Sequence, residues 1–125
     1  MSGQLLKGFN KRMAIEVNVS CILFKEDNIT LIYSPALDIT GYGHDKMEAK
    51  KSFKIALEEF IKYTLHKGTF ESEMKRMGWN VHIKKHTYEQ PFFDKLLTEN
   101  DYLSHIVREK EFSKFNQNIL LPDYA

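Results

Sequence analysis

From Asp45 to Lys67 the residues Ala49, Phe53, Ala56, Leu57, Phe60, Ile61 and Thr64 recur at spacings of three and four, the signature of one apolar stripe on a helix of about six turns. Both ends of the stripe carry boundary signals. Asp45 is placed to accept from the free amides of the first turn, and Glu48, three residues on, to reach back toward the cap. Both carboxylates sit at the positive end of the helix dipole. Gly68 is the natural stop. Lys54 and Glu58, four apart, are expected to pair on the solvent side. Such a helix must cover a complementary layer, and the residues before it supply one.

Ile15, Val17, Val19, Cys21 and Leu23 alternate with Glu16, Asn18 and Ser20, a period of two that puts one apolar face inward. Lys25, Glu26, Asp27 and Asn28 interrupt the alternation, and Ile29, Leu31 and Tyr33 resume it, so the two runs read as an antiparallel hairpin ended by Pro35. Gly41 and Gly43 then read as a tight loop before the helix cap.

After Gly68, Thr69 is expected to cap a short helix with Phe70, Met74 and Met77 on one side, ended by Gly78. Val81 and Ile83 predict a third strand whose alternation decays at Lys85. Phe92, Phe93, Leu96 and Leu97 predict one short helix. Asn100 or Asp101 predicts a cap, and Tyr102, Leu103, Ile106 and Val107 a second helix. The run 118–122 is either a final strand or a segment docked on the body. The expected class is α+β, a small antiparallel sheet packed on one long helix with a helical C-terminal tail. The expected division is a leader at 1–13, for which disorder is an open alternative, a domain at 14–90, and a helical extension at 91–125 that packs on the core or on a partner.

A chain of 125 residues, 42% hydrophobic and 28% charged, is that of one ordinary globular domain. With 18 Lys and Arg against 17 Asp and Glu there is no overall field toward nucleic acid or anionic lipid, so such binding would need a local patch. Cys21 is the sole cysteine and lies on an apolar strand face, which predicts a packed thiol and fits a reducing cytoplasm. Neither a signal-peptide run nor a stretch of about 20 apolar residues is present, so secretion and membrane insertion are not expected.

The stretch from Tyr33 to Leu57, with Pro35, Leu37, Gly43, Glu48 and Ala49 at the matching places, resembles the HicB-like antitoxin family over about residues 14 to 88. The resemblance implies a β-β-α-β core, a partial ribonuclease H fold without its chemistry, and a non-enzymatic protein that masks a small HicA-like ribonuclease toxin. It implies a partner surface at the loop and helix start, for which Leu37, Asp38, Thr40, Tyr42, His44, Asp45 and Glu48 are the candidates. The alternatives are an orphan HicB-like assembly module that forms homo-oligomers through sheet edges, and a DNA-binding repressor. Family members commonly carry a C-terminal DNA-binding part. Here the helices from Phe92 to Lys110 mix Asp94, Glu99, Asp101 and Glu109 with Lys95, Arg108 and Lys110, unlike a phosphate-binding surface.

No catalytic residue, cofactor or metal site is expected. His82 and His86, the one close histidine pair, would stand about 13 Å apart on a strand, too far to share an ion. Metal-dependent hydrolysis needs converging carboxylates, whereas Glu16 falls on a strand, Asp27 in the hairpin turn, Asp38 in the loop before Gly41, and Glu58 and Glu59 on the helix surface, where they fit ion pairing. No serine sits in a nucleophile elbow, and Gly41-Tyr42-Gly43 lacks the third glycine of a nucleotide loop.

Overall fold

In the computed structural model, which describes residues 14–123, the alternating run forms strand β1 (Ala14–Glu26) and its continuation β2 (Ile29–Ser34). The turn between them is two residues, Asp27 and Asn28, at φ of 50° and 66°, closed by the Glu26 and Ile29 pair. Asp and Asn tolerate this left-handed geometry, which matches the strand twist of a tight hairpin. A third strand, β3 (Ile39–Gly43), pairs with β2, and a last strand, β6 (Phe112–Pro122), runs antiparallel along β1 from Ala14 to Phe24. The four-stranded order is β3-β2-β1-β6.

Helix α1 (Lys46–Lys67) covers one face of this sheet, mainly over β3 and β2. Its Ala49, Phe53, Leu57 and Ile61 join Val19, Cys21, Ile32, Ile119 and Leu121 in the main core. The caps form nearly as the residues predict. Asp45 accepts from the Glu48 amide at 2.8 Å, and the Glu48 carboxylate accepts from the amide of His44, one residue before the cap, at 2.8 Å. At the other end Gly68 adopts φ 71°, and the Gly68 and Thr69 amides close back on Leu65 and Thr64.

The opposite face is covered too. Helices α3 (Phe93–Glu99) and α4 (Asp101–Glu109) lie there, with Leu103 and Ile106 buried against Ile22, Phe24 and Tyr33. Each such side chain contributes about 2 kcal/mol by burial. This explains why β1 alternates from Ile15 to Ser20 and then runs apolar through Cys21, Ile22, Leu23 and Phe24: only the second half is sandwiched between two helical layers. The tail therefore packs on its own sheet.

Four expectations are corrected. The Gly41 to Gly43 loop is strand β3. Neither glycine has positive φ, and both are there because α1 presses on them: a Cβ at Gly41 would stand 2.3 Å from the Phe53 nitrogen, and one at Gly43 2.4 Å from the Glu48 Cβ. The strand expected from Val81 and Ile83 is only β4 (Asn80–His82), which pairs with β5 (Thr87–Glu89) in a separate two-stranded sheet. Between them Ile83–Lys85 coils into a single 3-10 turn, since the polar run 84–87 offers no apolar face to continue. The strand that completes the main sheet is instead β6. Helix α2 (Phe70–Arg76) follows Thr69, but the Thr69 hydroxyl makes no capping bond. Among the described residues, Lys54 and Glu58 form no ion pair.

Two long-range bonds fasten the connections. The buried Trp79 indole donates to the Ala36 carbonyl at 2.7 Å, and the Tyr88 hydroxyl donates to the Pro122 carbonyl. No helix among the described residues is long and apolar enough to cross a membrane.

Candidate interaction surface

The stretch that sequence singled out is divided between architecture and surface. Leu37 is 2% exposed and belongs to the main core, which leaves it no face to offer a partner. Asp38 closes the turn between β2 and β3 at φ 55°, and its carboxylate accepts from the Tyr33 hydroxyl at 2.8 Å. Thr40 is half-buried opposite Tyr33. Asp45 and Glu48 are exposed but committed to capping α1. Tyr42 and His44 remain, both exposed, Tyr42 at 64%. Met47, in the first turn of α1, is 68% exposed and was not anticipated.

Tyr42 lies across from Leu31, whose side chain packs toward α3 and α4, so its ring stands on the sheet face opposite α1. Met47 belongs to the helix itself. The two thus stand on different elements, Tyr42 on the sheet and Met47 in the first turn of α1, with His44 on the chain between them. The outer edge of β3 is closed to a further strand at its centre, because the outward Tyr42 amide donates to the Ser52 hydroxyl on α1 at 3.1 Å. Contact here would be made by side chains.

Behind this surface lies a polar lock. Tyr33 donates to Asp38 and accepts from the Asn100 side-chain amide at 2.8 Å, while the Asn100 carbonyl oxygen caps α4 by accepting from the Leu103 amide at 2.9 Å. The Tyr102 ring meets Tyr33 edge-on at 5.1 Å. Burial pushes the Tyr33 phenol well above its ordinary range, and the neighbouring Asp38 carboxylate pushes the same way. One residue, Asn100, thus ties the helical layer to the turn that precedes β3.

The titratable groups do not converge. His82 meets Glu89 at 3.3 Å and His86 meets Asp123 at 2.6 Å, each histidine with its own carboxylate. Among the described residues no three His, Cys, Asp or Glu side chains gather to hold a metal ion. Burial pushes the Cys21 thiol up to about 12, so it packs as a neutral group.

The fold and surface define an α+β domain with a four-stranded antiparallel sheet between helical layers. Comparison with family models, with curated proteins and with solved structures finds no match.

Proposed function

We propose that this chain is a binding protein of the HicB-like antitoxin type, which masks a small HicA-like ribonuclease toxin stoichiometrically and without turnover. The observation that carries the reading is how the Leu37 to Glu48 stretch is used. Its leucine, glycines and carboxylates build a rigid strand and helix start, and what they hold outward is Tyr42, His44 and Met47. Exposed aromatic and methionine side chains on a fixed frame favour protein contact, since little ordering entropy is lost on docking. The β3 and α1 geometry supports this reading. The element order departs from the family's β-β-α-β: a third strand, β3, precedes α1, and the fourth strand of the sheet is reached only after α2, the β4 and β5 hairpin, α3 and α4.

The test is co-expression with a small neighbouring ribonuclease that bears a histidine and a double-stranded-RNA-binding pattern. The expected result is relief of growth arrest and a co-purifying complex, both lost in Tyr42→Asp with the fold retained by circular dichroism. Continued arrest despite soluble expression of both chains would remove the proposal.

A further inference from the structure

The sheet has three stretches of strand edge, and two are closed by side chains. On β3 the Tyr42 amide is taken by Ser52. On β1, the half that extends beyond β2 is closed by Gln90, whose side-chain oxygen accepts from the Ser20 amide at 3.2 Å and whose NH2 donates to the Asn18 carbonyl at 3.1 Å. The third stretch, the outer side of β6, is eleven residues long and no strand among the described residues pairs with it.

The Gln90 bonds also fix which backbone groups point where. Even-numbered residues of β1 face away from β6, so Val17, Val19 and Cys21 exchange bonds with Ile119, Gln117 and Phe115. The amides and carbonyls of Lys114, Asn116, Asn118 and Leu120 then project outward. One of them is met locally, the Asn118 carbonyl by the Gln117 side chain at 3.1 Å.

Beside this edge, between α1 and β6, is a cleft of about 500 Å3. Phe53, Leu57, Ile61 and Ile119 form its floor. Lys50, Lys51 and Lys54 stand on its α1 side, and Lys46 continues the same ridge at a spacing of four. Lys46 and Lys50 lie over the Phe115 ring at 5.3 and 5.7 Å. None of these four lysines forms an ion pair among the described residues. Glu58 is the acid lining the cleft, toward the Ile61 end.

We infer that the outer edge of β6 and the lysine-rimmed cleft form a docking site for an acidic, extended segment of a partner protein, which adds to the sheet as a fifth strand. Backbone bonds to the outward groups of β6 would hold the segment. Alternate side chains would fall on the α1 face, carboxylates beside Lys46, Lys50 and Lys54, and an apolar residue at the Ile119 end where Glu58 disfavours a further acid. Charge selects this occupant over a second copy of β6, which has Lys114 and no acid to meet the ridge. The inference is independent of the masking surface at Tyr42, on the far edge of the sheet.

The test uses the full chain and a fluorescent ten-residue peptide of alternating Glu and Val, read by anisotropy, with a Lys and Val peptide as control. Expected are saturable binding of the acidic peptide alone, weakening with salt, a loss of about tenfold or more in the Lys50→Glu, Lys54→Glu double variant, and a comparable loss in Asn116→Pro. That proline removes an outward amide at an exposed edge position. Tyr42→Asp should bind as the parent does. Equal binding of both peptides, no binding of the acidic one, or full affinity in Asn116→Pro would overturn the inference. So would a stable dimer that Asn116→Pro dissolves and the lysine reversals leave intact, since that result assigns the edge to a second copy.

Discussion

Replacing Gly41 with alanine separates two accounts of the Gly-Tyr-Gly stretch by sign. If the glycine served only chain flexibility, alanine at this extended, negative-φ position would stabilise the fold by about 0.5 to 1 kcal/mol through the unfolded chain. The structure demands the opposite. The added Cβ would lie 2.3 Å from the Phe53 nitrogen, 2.4 Å from the Ala49 oxygen and 2.6 Å from the Phe53 Cα, where ordinary contact begins at 3.4 Å. All three atoms are backbone, so no side chain can swing aside and α1 must retreat by about 1 Å. A gap of that size forfeits a quarter to a half of the dispersion attraction across it, and α1 meets the sheet through Ala49, Phe53, Leu57 and Ile61. Overpacking of this kind costs about 3 kcal/mol, the upper part of its usual span. Urea unfolding should show that loss, and the melting temperature should fall by about 9 to 15 °C. Gly68→Ala is the comparison: nothing lies within 4 Å of its Cβ, but φ is 71°, so strain alone should cost about 1 kcal/mol. A Gly41→Ala protein as stable as the parent, or more so, would refute the close approach of helix and strand.

Gln90→Ala should lower stability by about 1 to 2 kcal/mol, and hydrogen exchange should show the Ser20 amide losing protection while amides in α4 keep theirs. Asn100→Ala removes both the α4 cap and the bond to Tyr33 and should cost about 2 kcal/mol, whereas Asn100→Asp keeps the cap acceptor and loses only the donor to Tyr33; urea midpoints rank the two. Burial raises the Cys21 thiol from 9.0 to about 12 and raises Tyr33 as well, so the unfolded chain ionises first as the pH climbs. Stability from these groups is complete below about pH 9 and is lost as the pH rises toward about 12. Cys21→Ala should delay the onset, and urea midpoints that stay level through that range would contradict the buried thiol.

What the sequence made legible is what local periodicity encodes. The capped stripe of α1, the β1 and β2 hairpin and the Asn100 cap follow from residues within a few positions of one another. Strand β3 was hidden because its inward positions are Ile39, Gly41 and Gly43, and the glycines register a neighbouring helix backbone that no local window contains. The short β4 was legible, but its exclusion from the main sheet was not, because only the tertiary pairing of β6 with β1 decides which strand takes the last place. In β6 the alternation of Phe115, Gln117, Ile119 and Leu121 was present in the sequence and marks the face turned to α1. Of the candidate surface, Tyr42 and His44 stand exposed, while Leu37 turned inward because an apolar residue at a tight turn fills the core. The closed edges at Ser52 and Gln90 had no local signal, since each depends on a side chain meeting a strand 10 or about 70 residues away.

The pairing of β1 with β6 has a consequence for biosynthesis. Asn18 and Asn118, partners in the ladder, stand 100 positions apart in the chain. During translation the first strand emerges long before its mate, and an N-terminal half with helix α1 already formed would have to wait with one side of β1 bare. Closure of so long a loop comes late in folding, so the ribosome must release the chain through β6 before the sheet can be finished, and a stall near residue 110 would leave a nascent chain prone to sticking to its neighbours.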